Sequence, residues 1–128
     1  MPSGPQIANR YKRRACRFRP EDGEEAFVHF DLADGVHWTL SLIEISDGGL
    51  AFGLNDGRPR LKVGARIDGV TVEAGGFELA GSARVTHVTS ELGVSTICGA
   101  EFAPSTEADK RTLALVLNTI LKRSPRLG

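Results

Sequence analysis

Cysteine is scarce in this chain of 128 residues: Cys16 and Cys98 stand alone and far apart. That excludes a disulfide framework and offers no metal-like cysteine spacing, so a reduced, cytoplasmic protein is expected. No apolar run approaches the length of a transmembrane helix, and no apolar core follows the start as a secretory signal requires. Membrane insertion is therefore not expected. Phosphate-binding, dinucleotide-binding and hydrolase motifs are missing. His29, His37 and His87 fall on separate expected strands without cysteine or carboxylate at ligand spacing, so no metal or other cofactor is expected. Neither cysteine has a marked histidine base, and Cys98 reads as a small core residue. An enzyme is not expected. Aromatic residues make up 6% of the chain, too few for a stacking platform, which argues against a nucleic-acid partner.

Net charge is also missing: 16 basic residues balance 16 acidic ones. The balance conceals an asymmetry. Arg10, Lys12, Arg13, Arg14, Arg17 and Arg19 precede the first acid, Glu21, after which acids dominate through Asp34. Like charges at that density repel, so residues 10–19 are expected to form a basic arm that stays flexible until an anion neutralises it.

What the sequence has in quantity is short alternating apolar stretches cut by glycine turns. Residues 1–9 read as a flexible tail, residues 10–123 as a single domain and residues 124–128 as a second tail. Within the domain a barrel is expected over residues 24–103 and a helix over 105–122. Ala26–Leu32 and Val36–Ile45 alternate as half-buried strands, with a change of phase near Leu42-Ile43 that a bulge would explain. In the second of these, Ile43 and Ile45 are expected to share the apolar face against Glu44 and Ser46. Asp47-Gly48-Gly49 marks a tight hairpin, since Asp-Gly supplies positive φ at little cost. Leu50–Leu54 returns. Ala65–Val72 follows with a kink at Gly69, then a Gly75-Gly76 turn, then strands over 77–89 and 94–102. Ser105 or Thr106 caps a helix whose Leu113, Val116, Leu117, Ile120 and Leu121 form one face, and Pro125 stops it. About six short strands and one helix predict an all-β fold: a small antiparallel barrel with the helix laid on it.

The hairpin at Asp47 places backbone N–H groups and the Ser46 hydroxyl at one rim of a sheet, where a polar ligand could be held if the basic arm meets it. Arg13-Arg14-Ala15-Cys16-Arg17 resembles the RxxxR motif that opens PilZ domains. Glu44-Ile45-Ser46-Asp47-Gly48-Gly49 resembles their (D/N)xSxxG motif. Cys98-Gly99-Ala100-Glu101-Phe102, followed by the helix, resembles their closing Gly-x-x-Phe strand and terminal helix. The resemblance spans about Arg10 to Arg123. It implies a six-stranded antiparallel PilZ-type β-barrel from a bacterium, and a receptor for cyclic di-GMP.

The implied chemistry suits the residues. An arginine fork meets guanine O6 and N7 with two hydrogen bonds and stacks on a purine face. Ser46 and the turn amides would hold the ligand, and Gly49 would let backbone approach it. Arg10 and Arg14 also form an RxxxR spacing. Arg13 and Arg17 are preferred because Arg17 runs directly into Phe18. Glu44 departs from the motif by one methylene, which bears on how tightly a ligand is held. The expected function is a binding module whose arm orders on the ligand and signals to a protein partner, as a monomer or weak dimer. The alternative is an adaptor that binds a protein and no nucleotide.

Overall fold

The computed structural model describes residues 17–20, 24–55, 58–90 and 96–123. The described residues form seven strands: β1 (Arg17–Phe18), β2 (Phe27–Asp31), β3 (His37–Ser46), β4 (Gly49–Leu54), β5 (Arg66–Ala74), β6 (Phe77–Ser90) and β7 (Thr96–Pro104). Among the described residues one helix, α1 (Glu107–Arg123), follows them. All pairings are antiparallel, in the order β3-β2-β5-β6-β7-β4, and β4 returns to β3. Six strands thus close a barrel, as expected. Closure removes every free edge among these six and gives the barrel an inner and an outer wall.

The inner wall is apolar because alternate residues point inward. Val28, Phe30, Leu40, Ile45, Phe52, Val72, Val85 and Cys98 are all at most 2% exposed. Phe30 and Phe52 meet edge-to-face across the interior, with centroids 5.8 Å apart.

The phase change in β3 is a bulge between Leu42 and Glu44. It corrects one expectation. Leu42 and Ile45 point inward, and Ile43 is the extra residue and lies outside at 36% exposure. A bulge adds one residue to one strand, so two neighbours fall on the same side. The kink in β5 is also present: the β5–β6 register shifts between Ile67 and Val70, where Gly69 has φ +71°.

Two hairpins are built differently. Gly75 and Gly76 both have positive φ (59° and 83°) and join β5 to β6 directly, since Ala74 pairs with Phe77. Asp47-Gly48 also turns tightly between β3 and β4, yet neither Gly48 nor Gly49 is among the positive-φ glycines. The turn is tied instead to β7: the Phe102 N–H donates to the Gly48 carbonyl at 3.2 Å.

β1 is an addition to the six. One edge of β3 takes β2 along its first half and β1 at its end, with Arg17 opposite Ser46 and Phe18 opposite Ile45. Phe18 is fully buried. The last part of the basic segment is thus fixed to the barrel by an apolar anchor, and flexibility as far as residue 19 is corrected. The sequence signal was present: Phe18 is a large apolar side chain flanked by Arg17 and Arg19.

Thr106 caps α1. Its hydroxyl accepts from the Asp109 N–H at 3.1 Å, and Asp109 in turn accepts from the Ala80 N–H of β6 at 3.0 Å. The helix packs Leu113 and Val116 onto the barrel, touching β6, β7 and β1. No described helix is long and apolar enough to cross a membrane. The expected tails, residues 1–9 and 124–128 with Pro125, and the connection at 91–95 lie outside the described residues.

Candidate functional site

The outward side chains at the end of β3 are Glu44 and Ser46, on either side of buried Ile45. Ser46 Oγ donates to the Gly49 carbonyl at 3.3 Å, which holds the hydroxyl over the start of β4. Gly49 pairs with Glu101 of β7. A Cβ at Gly49 would lie 3.1 Å from the Ala100 carbonyl oxygen, tighter than ordinary packing. The sequence motif assigns Gly49 to close approach by a ligand; the barrel supplies a reason of its own, the closeness of β4 to β7.

The register of β1 brings the end of the basic segment, Arg17–Phe18, beside this hairpin. Arg17 is the cross-strand partner of Ser46. The RxxxR end of the segment and the serine of the second motif are therefore neighbours on adjacent strands, about 5 Å apart by ordinary strand spacing. Arg10, Arg13 and Arg14 lie outside the described residues. Arg19 was not singled out from the sequence, yet its Nε donates to Glu44 Oε1 at 3.0 Å. The signal available for it was its charge and its place at the end of the basic run, next to Phe18. Arg19 is 70% exposed and Glu44 24%, so the pair stabilises the fold by at most about 1 kcal/mol; its effect is to orient the carboxylate.

Two of the histidines contact carboxylates through the fold. His29 on β2 contacts Glu73 of β5 through Nε2 and Thr39 Oγ1 through Nδ1 at 2.9 Å. His37 Nδ1 lies 2.6 Å from Asp31 Oδ1. The two rings stack with centroids 6.0 Å apart. These contacts cross strands, so they depend on register and are invisible to spacing along the chain. Among the described residues no group of three or more histidine, cysteine or acidic side chains is arranged to hold a metal ion. Cys98 is buried, and loss of solvent pushes its thiol up to about 11, so it is a protonated core side chain at neutral pH. Asp109 is held below the ordinary carboxylate range, first by the Ala80 N–H and then by the Thr106 hydroxyl.

No family model and no curated protein sequence matches the chain. Solved structures do. Apo MrkH of K. pneumonia superposes with a TM-score of 0.73 at 20% identity, covering 88% of this chain and 52% of that one. The PilZ domain of YcgR from Escherichia coli, solved with c-di-GMP, gives 0.72 at 18% identity and covers 86% and 92%. The inhibitor of motility MotI/DgrA from Bacillus subtilis gives 0.65 at 16% identity and covers 87% and 50%. The chain thus spans about half the length of MrkH and of the motility inhibitor and nearly all of the isolated YcgR domain. At these identities the likeness is one of fold: the chain has the PilZ-domain fold.

Proposed function

We propose that this barrel is a binding module for cyclic di-GMP, without catalysis of its own, that takes the ligand on the outer wall beside Ser46. The observation that supports the reading is the pairing of Arg17, the last arginine of the RxxxR spacing, with Ser46 of the hairpin motif. The YcgR PilZ domain carries c-di-GMP, and MrkH forms a complex with it, which supports the same ligand for this fold here. In this reading Arg13 and Arg17 fork onto guanine O6 and N7 and onto phosphate, with Arg10 and Arg14 adding positive charge. Ser46 and the backbone at Gly49 hold the base edge. Glu44, oriented by Arg19, accepts from guanine N1–H and N2–H₂. Ordering the basic segment over the wall would change the surface shown to a protein partner in the cytoplasm.

Calorimetric titration of the chain with cyclic di-GMP tests this. Saturable binding at tens of micromolar or tighter is expected, and no saturable heat in that range overturns it.

The Arg19–Glu44 contact favours one second reading. It engages the acceptor that a guanine would need, as in an adaptor that recognises a protein and no nucleotide. Arg19→Ala separates the two. A receptor keeps or alters its nucleotide affinity, whereas an adaptor binds no nucleotide in either form.

A further inference from the structure

Across the barrel from Ser46 the outer wall carries a row of partnered positions: Gly49 on β4, Glu101 on β7, Arg84 on β6 and Arg66 on β5. Their inward neighbours Ala100, Phe102, Ala83 and Val85 are core residues, so Glu101 and Arg84 project outward. Between Ser46 and Glu101, β4 presents the small outward residues Gly49 and Ala51. Two strand spacings put Gly49 and Arg84 roughly 10 Å apart.

The charges on this row are arranged unusually. Opposite charges on cross-strand partners ordinarily attract and pair. Glu101 and Arg84 are such partners, yet neither makes an ion pair or side-chain hydrogen bond among the described residues. On its other side Arg84 faces Arg66, a like charge, whose Nε is engaged by Asp68 at 3.2 Å. Glu101 and Arg84 both line two shallow hollows of about 270 and 230 Å³, one reaching Ser82 and the other Thr86. An acceptor and a fork of donors thus stand side by side, open to solvent, with room around them.

We infer that Glu101 and Arg84 form a second guanine subsite, and that Glu101 selects guanine over adenine there. The inference rests on the cyclic di-GMP reading above. A guanine edge carries two donors, N1–H and N2–H₂, next to the acceptor O6. A carboxylate accepts from both donors, and a neighbouring guanidinium reaches O6 or N7. Adenine presents an acceptor at N1, which a carboxylate can only oppose. Cyclic di-GMP has two guanines. Glu44 and Ser46 receive one, and the far end of the row receives the other. An acid on the floor of a site for a ligand with two phosphates is otherwise a repulsive feature; reading base donors gives it a use.

The test is titration of the chain with cyclic di-GMP and with cyclic di-AMP, alongside Glu101→Gln, Arg84→Ala and a control on another part of the wall, Glu78→Gln. All three positions are exposed, and unchanged melting midpoints establish that each variant folds. Glu101→Gln is expected to weaken cyclic di-GMP about tenfold and to lower its advantage over cyclic di-AMP by a similar factor. Arg84→Ala is expected to weaken cyclic di-GMP about tenfold, and Glu78→Gln to leave it unchanged. Without a contact, removing the Glu101 charge would leave an anionic ligand unaffected or bound more tightly, and either result overturns the subsite. Unaffected binding by Arg84→Ala overturns it as well. Failure of the unaltered chain to bind cyclic di-GMP overturns the receptor reading and the subsite with it. Binding by the unaltered chain with both variants unaffected overturns the subsite alone.

Discussion

The two sides of the barrel treat their outward polar residues in opposite ways. On β2, β3 and β5 the groups satisfy one another: Glu73, His29, Thr39, His37 and Asp31 form a continuous chain of contacts across three strands. On β4, β7 and β6, Glu101 and Arg84 are cross-strand neighbours without an ion pair among the described residues, beside outward positions occupied by glycine and alanine. A wall whose polar groups already have partners gains little by taking a ligand, because each contact must first be broken. A wall with a donor and an acceptor unengaged can gain a hydrogen bond without losing one. The basic segment is tied to β3 just where the second wall begins, through Arg17 and the buried Phe18.

The largest effect is expected from the arm. Arg13→Ala combined with Arg17→Ala is expected to weaken cyclic di-GMP binding about a hundredfold or more by calorimetry, since each removes a charge-assisted fork worth roughly a factor of ten. Arg10→Ala should cost less if the preferred register is right, and an equal loss would shift the pair to Arg10 and Arg14.

Next is the floor between the walls. Gly49→Val places a Cβ against the Ala100 carbonyl and branches it beside Ser46. A loss of about 1–3 kcal/mol in denaturant unfolding is expected, with nucleotide binding abolished in the fraction still folded. The matching change on the other wall sharpens the contrast. His29→Gln breaks contacts to Glu73 and Thr39 and should cost about 0.5–1.5 kcal/mol of stability while leaving nucleotide affinity unchanged. A loss of affinity there would mean that the ligand uses the wrong side.

The smallest effect belongs to the helix cap, away from both walls. Asp109 is held below its ordinary value, so its ionised form is favoured by folding. That stabilisation is present above about pH 4 and is lost as pH falls through the lowered value. In acid unfolding, Asp109→Asn should be slightly less stable than the parent near neutrality and should converge with it at low pH.

Much of the fold was legible along the chain, for a physical reason. Alternation of period two marks each long strand, and Asp47-Gly48 and Gly75-Gly76 punctuate them. The phase slip near Leu42 announces the bulge, but alternation does not say which residue leaves the core, and Ile43 lies on the side opposite to the one it predicts. β1 escaped notice because two residues have no period to read. What a neighbouring strand contributes is set by register, a property of the closed barrel rather than of any stretch. Arg19 on Glu44, His29 on Glu73 and Glu101 beside Arg84 all belong to that class. The candidate site was half visible: Ser46, Gly49 and the basic segment stood out as motifs, whereas the far end of the row appears only once β4, β7 and β6 lie side by side.

Amide chemical shifts recorded while cyclic di-GMP is added distinguish the two walls in one experiment. Saturable shifts are predicted at Arg17, Ser46, Gly48 and Gly49 and on across the wall to Glu101 and Arg84, with His29, Asp31, His37 and Glu73 unmoved. Shifts centred on the histidine wall, or no saturable shifts at millimolar ligand, would contradict the account.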